Sequence, residues 1–234
     1  MTLPHRSRSR RIAAALVAAT CLALSACGAS GGSDPAAKVT NVQLKGTLPK
    51  AADIGAPYVL DTSKDDNSTK DPGDKAIDKA CPDAKALFGN SGSSKDQSVK
   101  FKTDDNRSIE VDAGHNDQGI TNAKVDSFVA AINKCKPITY TDQGSTFTGT
   151  LGAKRDDSYG DFGMAITFDL GTTVSGVSIE IHLKGNLWVR NGLSGGVVVT
   201  SGFDQSTFAN VKGDFDKIPA LAQAEDAKLK ALTS

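Results

Sequence analysis

The stretch 177–190, Val-Ser-Ile-Glu-Ile-His-Leu-Lys-Gly-Asn-Leu-Trp-Val-Arg, decides how this chain folds. Val177, Ile179, Ile181 and Leu183 recur at every second position, the period of a strand with one buried face. Leu187 and Val189 resume the same parity after Lys184-Gly185-Asn186. Gly and Asn are turn formers, so the pattern predicts a hairpin: strands Gly176 to Lys184 and Leu187 to Asn191 joined by a three-residue loop. That loop pairs Leu183 with Leu187 and Ile181 with Val189, whereas a two-residue loop would set Leu183 against Trp188 and mix the faces. On the opposite face Glu180 then lies against Arg190 and His182 against Trp188. These four residues, an ion pair beside an aromatic pair, are the candidate lining of a ligand groove; the plainer alternative is that they face solvent.

The alternation continues outward on both sides. Phe162, Met164, Ile166, Phe168 and Leu170 mark a strand over Asp161 to Leu170, with others over Thr146 to Ala153 and Gly196 to Thr200. Earlier, Val99-Phe101-Thr103 and Ile109-Val111-Ala113 are two strands joined by an Asp-Asp-Asn turn. Between these groups Val125, Phe128, Val129 and Ile132 share one helical face, started near Thr121 or Asn122 and stopped before Pro137. Asp74 to Phe88 is helical in composition but must break at Pro82, and Leu48 to Ile54 makes a short helix with Pro49 in its first turn. A last helix from Pro219 carries Ile218, Leu221, Ala222, Leu229 and Leu232, a stripe that Glu225 interrupts. Strands in runs with helices segregated from them indicate one α+β domain, an antiparallel sheet packed by several helices, rather than βαβ alternation.

The amino terminus reads differently. Arg6, Arg8, Arg10 and Arg11 precede an apolar run from Ile12 to Ala26 that is short for a membrane span, and it ends Leu24-Ser25-Ala26-Cys27. The ending resembles the bacterial lipobox, in which the cysteine takes a diacylglyceryl group and becomes the first residue of the mature chain. Ser9-Arg10-Arg11 resembles a twin-arginine signal with Ala13 and Ala14 in place of bulky apolar residues, so either export route fits. The organisation expected is a signal peptide over 1–26, a flexible lipidated tether over 27–43, and an extracytoplasmic domain over 44–234, held on the outer face of the cell membrane by the lipid on Cys27. The signal holds four of the 27 basic residues and none of the 27 acidic ones, which leaves 23 against 27 and a slightly acidic mature chain. Lys alternates with Asp throughout, without the clustered cations a nucleic-acid binder would show.

Cys21 leaves with the signal and Cys27 is acylated, so Cys81 and Cys135 remain in an oxidising space, which favours a disulfide between the two helical segments. The alternatives are two free thiols or a metal pair, but no CxxC and no nearby His supports zinc. No cofactor or metal site is expected.

Three motifs resemble catalytic ones. Gly192-Leu193-Ser194-Gly195-Gly196 spells a nucleophile elbow, but a strand follows it and the last histidine, His182, precedes the serine. Asp161-Phe162-Gly163 spells the magnesium motif of kinases without the other kinase motifs. The pairs Asp104-Asp105 and Asp156-Asp157 and the stretch Asp112 to Asp117 lack calcium-loop spacing, and His115 has no ligand partner in sequence. The chain reads as non-enzymatic.

A family pattern then emerges. Leu-Pro-Lys-Ala-Ala-Asp-Ile at 48–54, a cysteine on an early helix, Phe-Val-Ala-Ala-Ile-Asn-Lys-Cys at 128–135, Gly160-Asp161 opening a strand, and a hydrophobic hairpin before a C-terminal helix resemble the PknH-like extracellular sensor domain. That family occurs on actinobacterial receptor kinases and as free-standing lipoproteins, and the resemblance spans roughly residues 44 to 232. It implies an α+β domain with an antiparallel sheet and a cleft for an unidentified small-molecule or envelope ligand. The kinase-borne form carries two disulfides against the one available here, and the family has no catalytic residues to carry over. Two functions follow as expectations: a surface binding or sensing module, with a membrane protein as a possible partner, or a structural or chaperone-like envelope lipoprotein that contacts proteins or carries lipid.

Overall fold

A computed structural model describes residues 35–63, 72–84, 96–117, 119–142 and 144–234. Its centre is one eight-stranded sheet. The strands are β1 (Val59–Leu60), β2 (Gln97–Lys102), β3 (Ser108–His115), β4 (Ile138–Asp142), β5 (Ser145–Arg155), β6 (Phe162–Val174), β7 (Val177–Arg190) and β8 (Leu193–Thr200). They lie in the order β1-β2-β3-β8-β7-β6-β5-β4, with every neighbouring pair antiparallel. A separate two-stranded ribbon is formed by β9 (Gly202–Asp204) and β10 (Ala209–Val211). The helices are α1 (Asn41–Thr47), α2 (Ala51–Ile54), α3 (Pro72–Ala80), α4 (Asn122–Ile132) and α5 (Ile218–Leu232). This is the α+β class that the segregated strands and helices predict.

The predicted hairpin within 177–190 is wrong. β7 runs unbroken for 14 residues: Gly185 pairs with Ile166 on one side and Val198 on the other, and Asn186 pairs with Ala165 and Val197. The physical reason lies in parity. A three-residue loop keeps Leu183 and Leu187 on one face, but so does a strand that simply continues, so the buried pattern fits both. Gly185 is there for packing: a Cβ on it would stand 2.8 Å from the Val197 carbonyl oxygen and 3.0 Å from Val198 Cγ2. The turns that bound β7 use Ser175-Gly176, with φ of 51° and 81°, and Asn191-Gly192, with φ of 48° and 81°. Two successive left-handed residues are the requirement of the tight hairpin turn whose twist matches its strands.

Each side of the sheet carries a core. On one side Met164, Ile166, Phe168 and Leu170 of β6, Ile181, Leu183 and Val189 of β7, and Val198 of β8 pack with Val125, Phe128, Ala131 and Ile132 of α4 and with Ala80 and Cys81 at the end of α3. α4 begins as predicted, where the Thr121 hydroxyl accepts the Lys124 N–H. On the other side Phe101, Ile109, Val111, Val197 and Val199 pack against Ile218 and Ala222 of α5. Ala36, Val39 and Leu44 close that side against Ala113, Leu193 and Leu229. Residues 35–43, inside the segment 27–43 expected to be a flexible lipidated tether, are therefore part of the folded domain. A capping box holds α1 at its start: Thr40 Oγ1 accepts the Gln43 N–H while Gln43 Oε1 accepts the Thr40 N–H.

Cys81 and Cys135 form a disulfide, with Cα atoms 4.6 Å apart. It joins the end of α3 to the turn that follows α4, where the Cys135 N–H donates to Ile132 O. The Lys136 N–H donates to Ala80 O beside it. Among the described residues no helix is long and apolar enough to cross a membrane.

Candidate functional site

Glu180, His182, Trp188 and Arg190 do share one face of β7, because all are even-numbered on a continuous strand. They do not share one place. At a rise of about 3.3 Å per residue, Glu180 and Arg190 are separated by about 33 Å rather than lying opposite one another. The face divides into an exposed half and a buried half.

The exposed half is built on the long β6–β7 ribbon, where Asp169 is the cross-strand partner of His182. His182 Nδ1 stands 2.6 Å from Asp169 Oδ1, and its Nε2 is 3.6 Å from Glu180 Oε2. All three side chains reach solvent. The ribbon here extends beyond the end of β8 and is held from the side by the β9–β10 ribbon. Asn210 Oδ1 accepts the Glu180 N–H at 2.9 Å, the Ser201 hydroxyl accepts the His182 N–H at 2.7 Å, and the Ser201 N–H donates to His182 O at 2.8 Å. With the His182 Nδ1 turned to Asp169, the imidazole and the two carboxylates present acceptors with a negative bias, suited to cationic or polyhydroxylated groups.

The buried half is structural, which corrects the groove reading. Trp188 is 3% exposed and sits in the core with Phe101, Ile109, Val111, Val197 and Val199. Glycines make its seat: Cβ atoms at Gly160, Gly163 and Gly195 would come within 2.8, 3.0 and 2.5 Å of its side chain. Gly160 also has a φ of 69°, so two constraints fix that residue as glycine. Tyr159 lies over the indole with ring centroids 5.6 Å apart. The buried Nε1 finds no hydrogen-bond partner.

Arg190 is not opposite Glu180; it is a clamp. Its Nε and Nη2 donate to Asp226 of α5 at 2.8 and 2.5 Å, and its Nη1 donates to Asp161 at 3.3 Å. Asp161 in turn accepts the Asn191 N–H at 2.7 Å. The Asp226 carboxylate, ahead of Asp161, raises the affinity of Arg190 for its proton. One guanidinium thus ties the β7–β8 turn to the loop before β6 and to α5, a bidentate arrangement suited to arginine.

The look-alike motifs resolve into the same scaffold. Ser194 lies inside β8, paired with Val189 and Gly114, and not on a strand-to-helix turn. Asp161 is half of the arginine clamp. Asp156 accepts from Asn186 Nδ2 at 2.7 Å and Asp157 from Arg155 Nε at 2.7 Å. Asp105 accepts from Arg107 Nε at 3.0 Å. Among the described residues no group of three or more His, Cys, Asp or Glu is gathered for a metal ion. Cys27 lies outside the described residues.

Sequence reasoning missed Asp161 and Asp226 as the partners of Arg190, because both are distant in the chain and acidic residues are common throughout it. One buried polar residue did leave a signal. Glu225, which interrupts the apolar stripe of the last helix, is 1% exposed.

Among the described residues these features define an α+β domain built on one eight-stranded antiparallel sheet, with one disulfide. No protein-family model matches the sequence, and no curated protein matches it. Among solved structures the chain is similar to the crystal structure of the extracellular domain of PknH from Mycobacterium tuberculosis, with a TM-score of 0.48 and 13% identity over 82% of this chain and 97% of that one.

Proposed function

We propose that this chain is a lipoprotein, anchored through Cys27 on the extracytoplasmic face of the cell membrane, whose domain binds or senses a ligand without catalysis. The observation that carries the location is the Cys81–Cys135 disulfide, because such a bond persists in an oxidising compartment, the destination that a basic start and Leu-Ser-Ala-Cys also specify. Trp188 and Arg190 serve the scaffold, so the ligand contacts fall to the exposed half of the face, Glu180 and His182 with Asp169. Two experiments test the reading. In the first, wild-type chain partitions into the detergent phase and Cys27→Ala does not; a variant that still partitions at mature size ends the lipoprotein assignment. In the second, the mature domain is titrated with fractionated envelope polysaccharide and lipid while its melting temperature is followed. A stabilising shift lost in His182→Ala supports binding at this face, and a shift unchanged in that variant removes the face from the proposal.

A further inference from the structure

Glu225 is the glutamate of α5 that faces inward between Ala222 and Leu229, both 0% exposed. Its Oε1 lies 2.5 Å from Thr47 Oγ1, the hydroxyl at the last residue of α1. That hydroxyl is also 2.7 Å from the Leu44 carbonyl oxygen, one turn back in α1. Two contacts of hydrogen-bond length among three oxygens need two protons, and the threonine hydroxyl has one. The Leu44 carbonyl can only accept. The second proton therefore belongs to the carboxyl group: Glu225 donates to Thr47, and Thr47 donates to Leu44.

The surroundings agree. Glu225 Oε2 is buried with no hydrogen-bond partner, tolerable for the carbonyl oxygen of a neutral acid and costly for a carboxylate. Burial raises the carboxyl above its ordinary value of 4.5, and Thr47 and the Lys228 charge offset this only in part. Lys228 is the charged group facing the site from α5, but its ammonium is spent on the Thr47 carbonyl oxygen, 2.5 Å away. From α1 the facing group is Thr47. The strands beneath α5 contribute Val111, Ala113, Leu193 and Val197 to the flanking cores, none of which titrates.

We propose that the proton held between Glu225 and Thr47 is a latch that docks the N-terminal segment 35–47 on the C-terminal helix, and that its loss as pH rises frees the segment. Ionisation would set a carboxylate against a hydroxyl already committed to Leu44, and would leave Oε2 as a bare buried anion. What opens is the segment through which any anchor upstream connects to the domain.

The sign follows from linkage. An acid whose proton is held more tightly in the docked state contributes stability fully below its undocked value of about 4.5 and loses it as pH rises through the docked value. Within that window the docking constant falls about tenfold per pH unit.

The test is backbone hydrogen exchange of residues 35–47 in the full mature chain, corrected for the intrinsic pH dependence of exchange. In wild type, protection should fall with rising pH by up to about tenfold per unit over the window. In Glu225→Gln, whose amide can donate to Thr47 at every pH, protection should stay level. Parallel profiles in the two chains would overturn the proposal. Should the glutamine variant fail to fold, wild type labelled with carbon-13 at its glutamate carboxyls decides, because the chain has only Glu110, Glu180 and Glu225. One carboxyl should stay protonated to higher pH than in the urea-unfolded chain, and its titration should be displaced by Thr47→Val, which removes its hydrogen-bond partner, but not by Thr47→Ser. If all three titrate as they do unfolded, no proton is held and the latch does not exist.

Discussion

Trp188 lies across the backbone of Gly195, so close that a Cβ on that glycine would stand 2.5 Å from both Cε2 and Cζ2 of the indole. The two residues are cross-strand partners on β7 and β8, so the ring lies flat over its neighbour's missing side chain. This relationship moves the tryptophan from a candidate ligand platform into the core.

Trp188→Ala should therefore cost about 3 to 5 kcal/mol of stability. The reciprocal change, Gly195→Ala, forces the ring out of its seat and should cost about 1 to 3 kcal/mol. Urea denaturation midpoints measure both. A Trp188→Ala chain as stable as wild type would place the indole outside the core.

The disulfide closes a loop between residues 54 apart in sequence, which corresponds to about 4 kcal/mol of chain entropy withheld from the unfolded state. Cys81→Ala with Cys135→Ala should lower stability by an amount of that order. The unreduced mature domain, denatured, should show neither of these thiols to a labelling reagent; recovery of both would refute the bond.

Acid should loosen the region where β1, β2 and β3 meet the approach to α5. Burial alone would raise the Asp105 carboxyl, but the hydrogen bonds from Arg107 and Thr103 outweigh it and hold it below its ordinary value of 3.8. Asp61 is lowered in the same sense by Lys102 and Ser63 against its own burial. Both groups bind protons less well when folded, so their contribution is present above about 3.8 and is lost as pH falls through the depressed values. Arg107 also donates to both oxygens of Asp214 and lies over the Tyr58 ring. Arg107→Met should shift acid unfolding, followed by circular dichroism, to higher pH and cost about 1 kcal/mol at neutral pH. An unchanged acid midpoint would show that the network is not what fails.

What the sequence revealed and hid follows from how local each signal is. The buried parity of β6, the threonine cap of α4 and the proline start of α5 are written within a few residues, and each element appears where expected. The course of β7 is not local. Whether Lys184-Gly185-Asn186 turns or continues depends on Val197 and Val198 of β8, which need the glycine for close approach. The turn itself falls a few residues on, at Asn191-Gly192, where the expected second strand ends and the glycine-rich stretch 192–196 begins. Trp188 was misplaced for the same reason, since its burial depends on Gly160, Gly163 and Gly195 arriving from two other segments. The strand β4 carries only Ile138 as a fully buried apolar residue and left little to detect.

The unbroken β7 also gives the molecule a direction. Its 14 residues span about 45 Å from the Ser175-Gly176 turn to Arg190. At the Arg190 end Leu193 packs with Ala36, Val39 and Leu44, so the chain enters the domain at that pole. On a membrane-tethered chain the strand would act as a mast: the pole with Arg190 would face the bilayer, and Glu180, His182 and the 67% exposed Phe208 would be carried toward the outermost tip. A spectroscopic ruler between a lipid probe and a label at Ser175 would read the height of that mast.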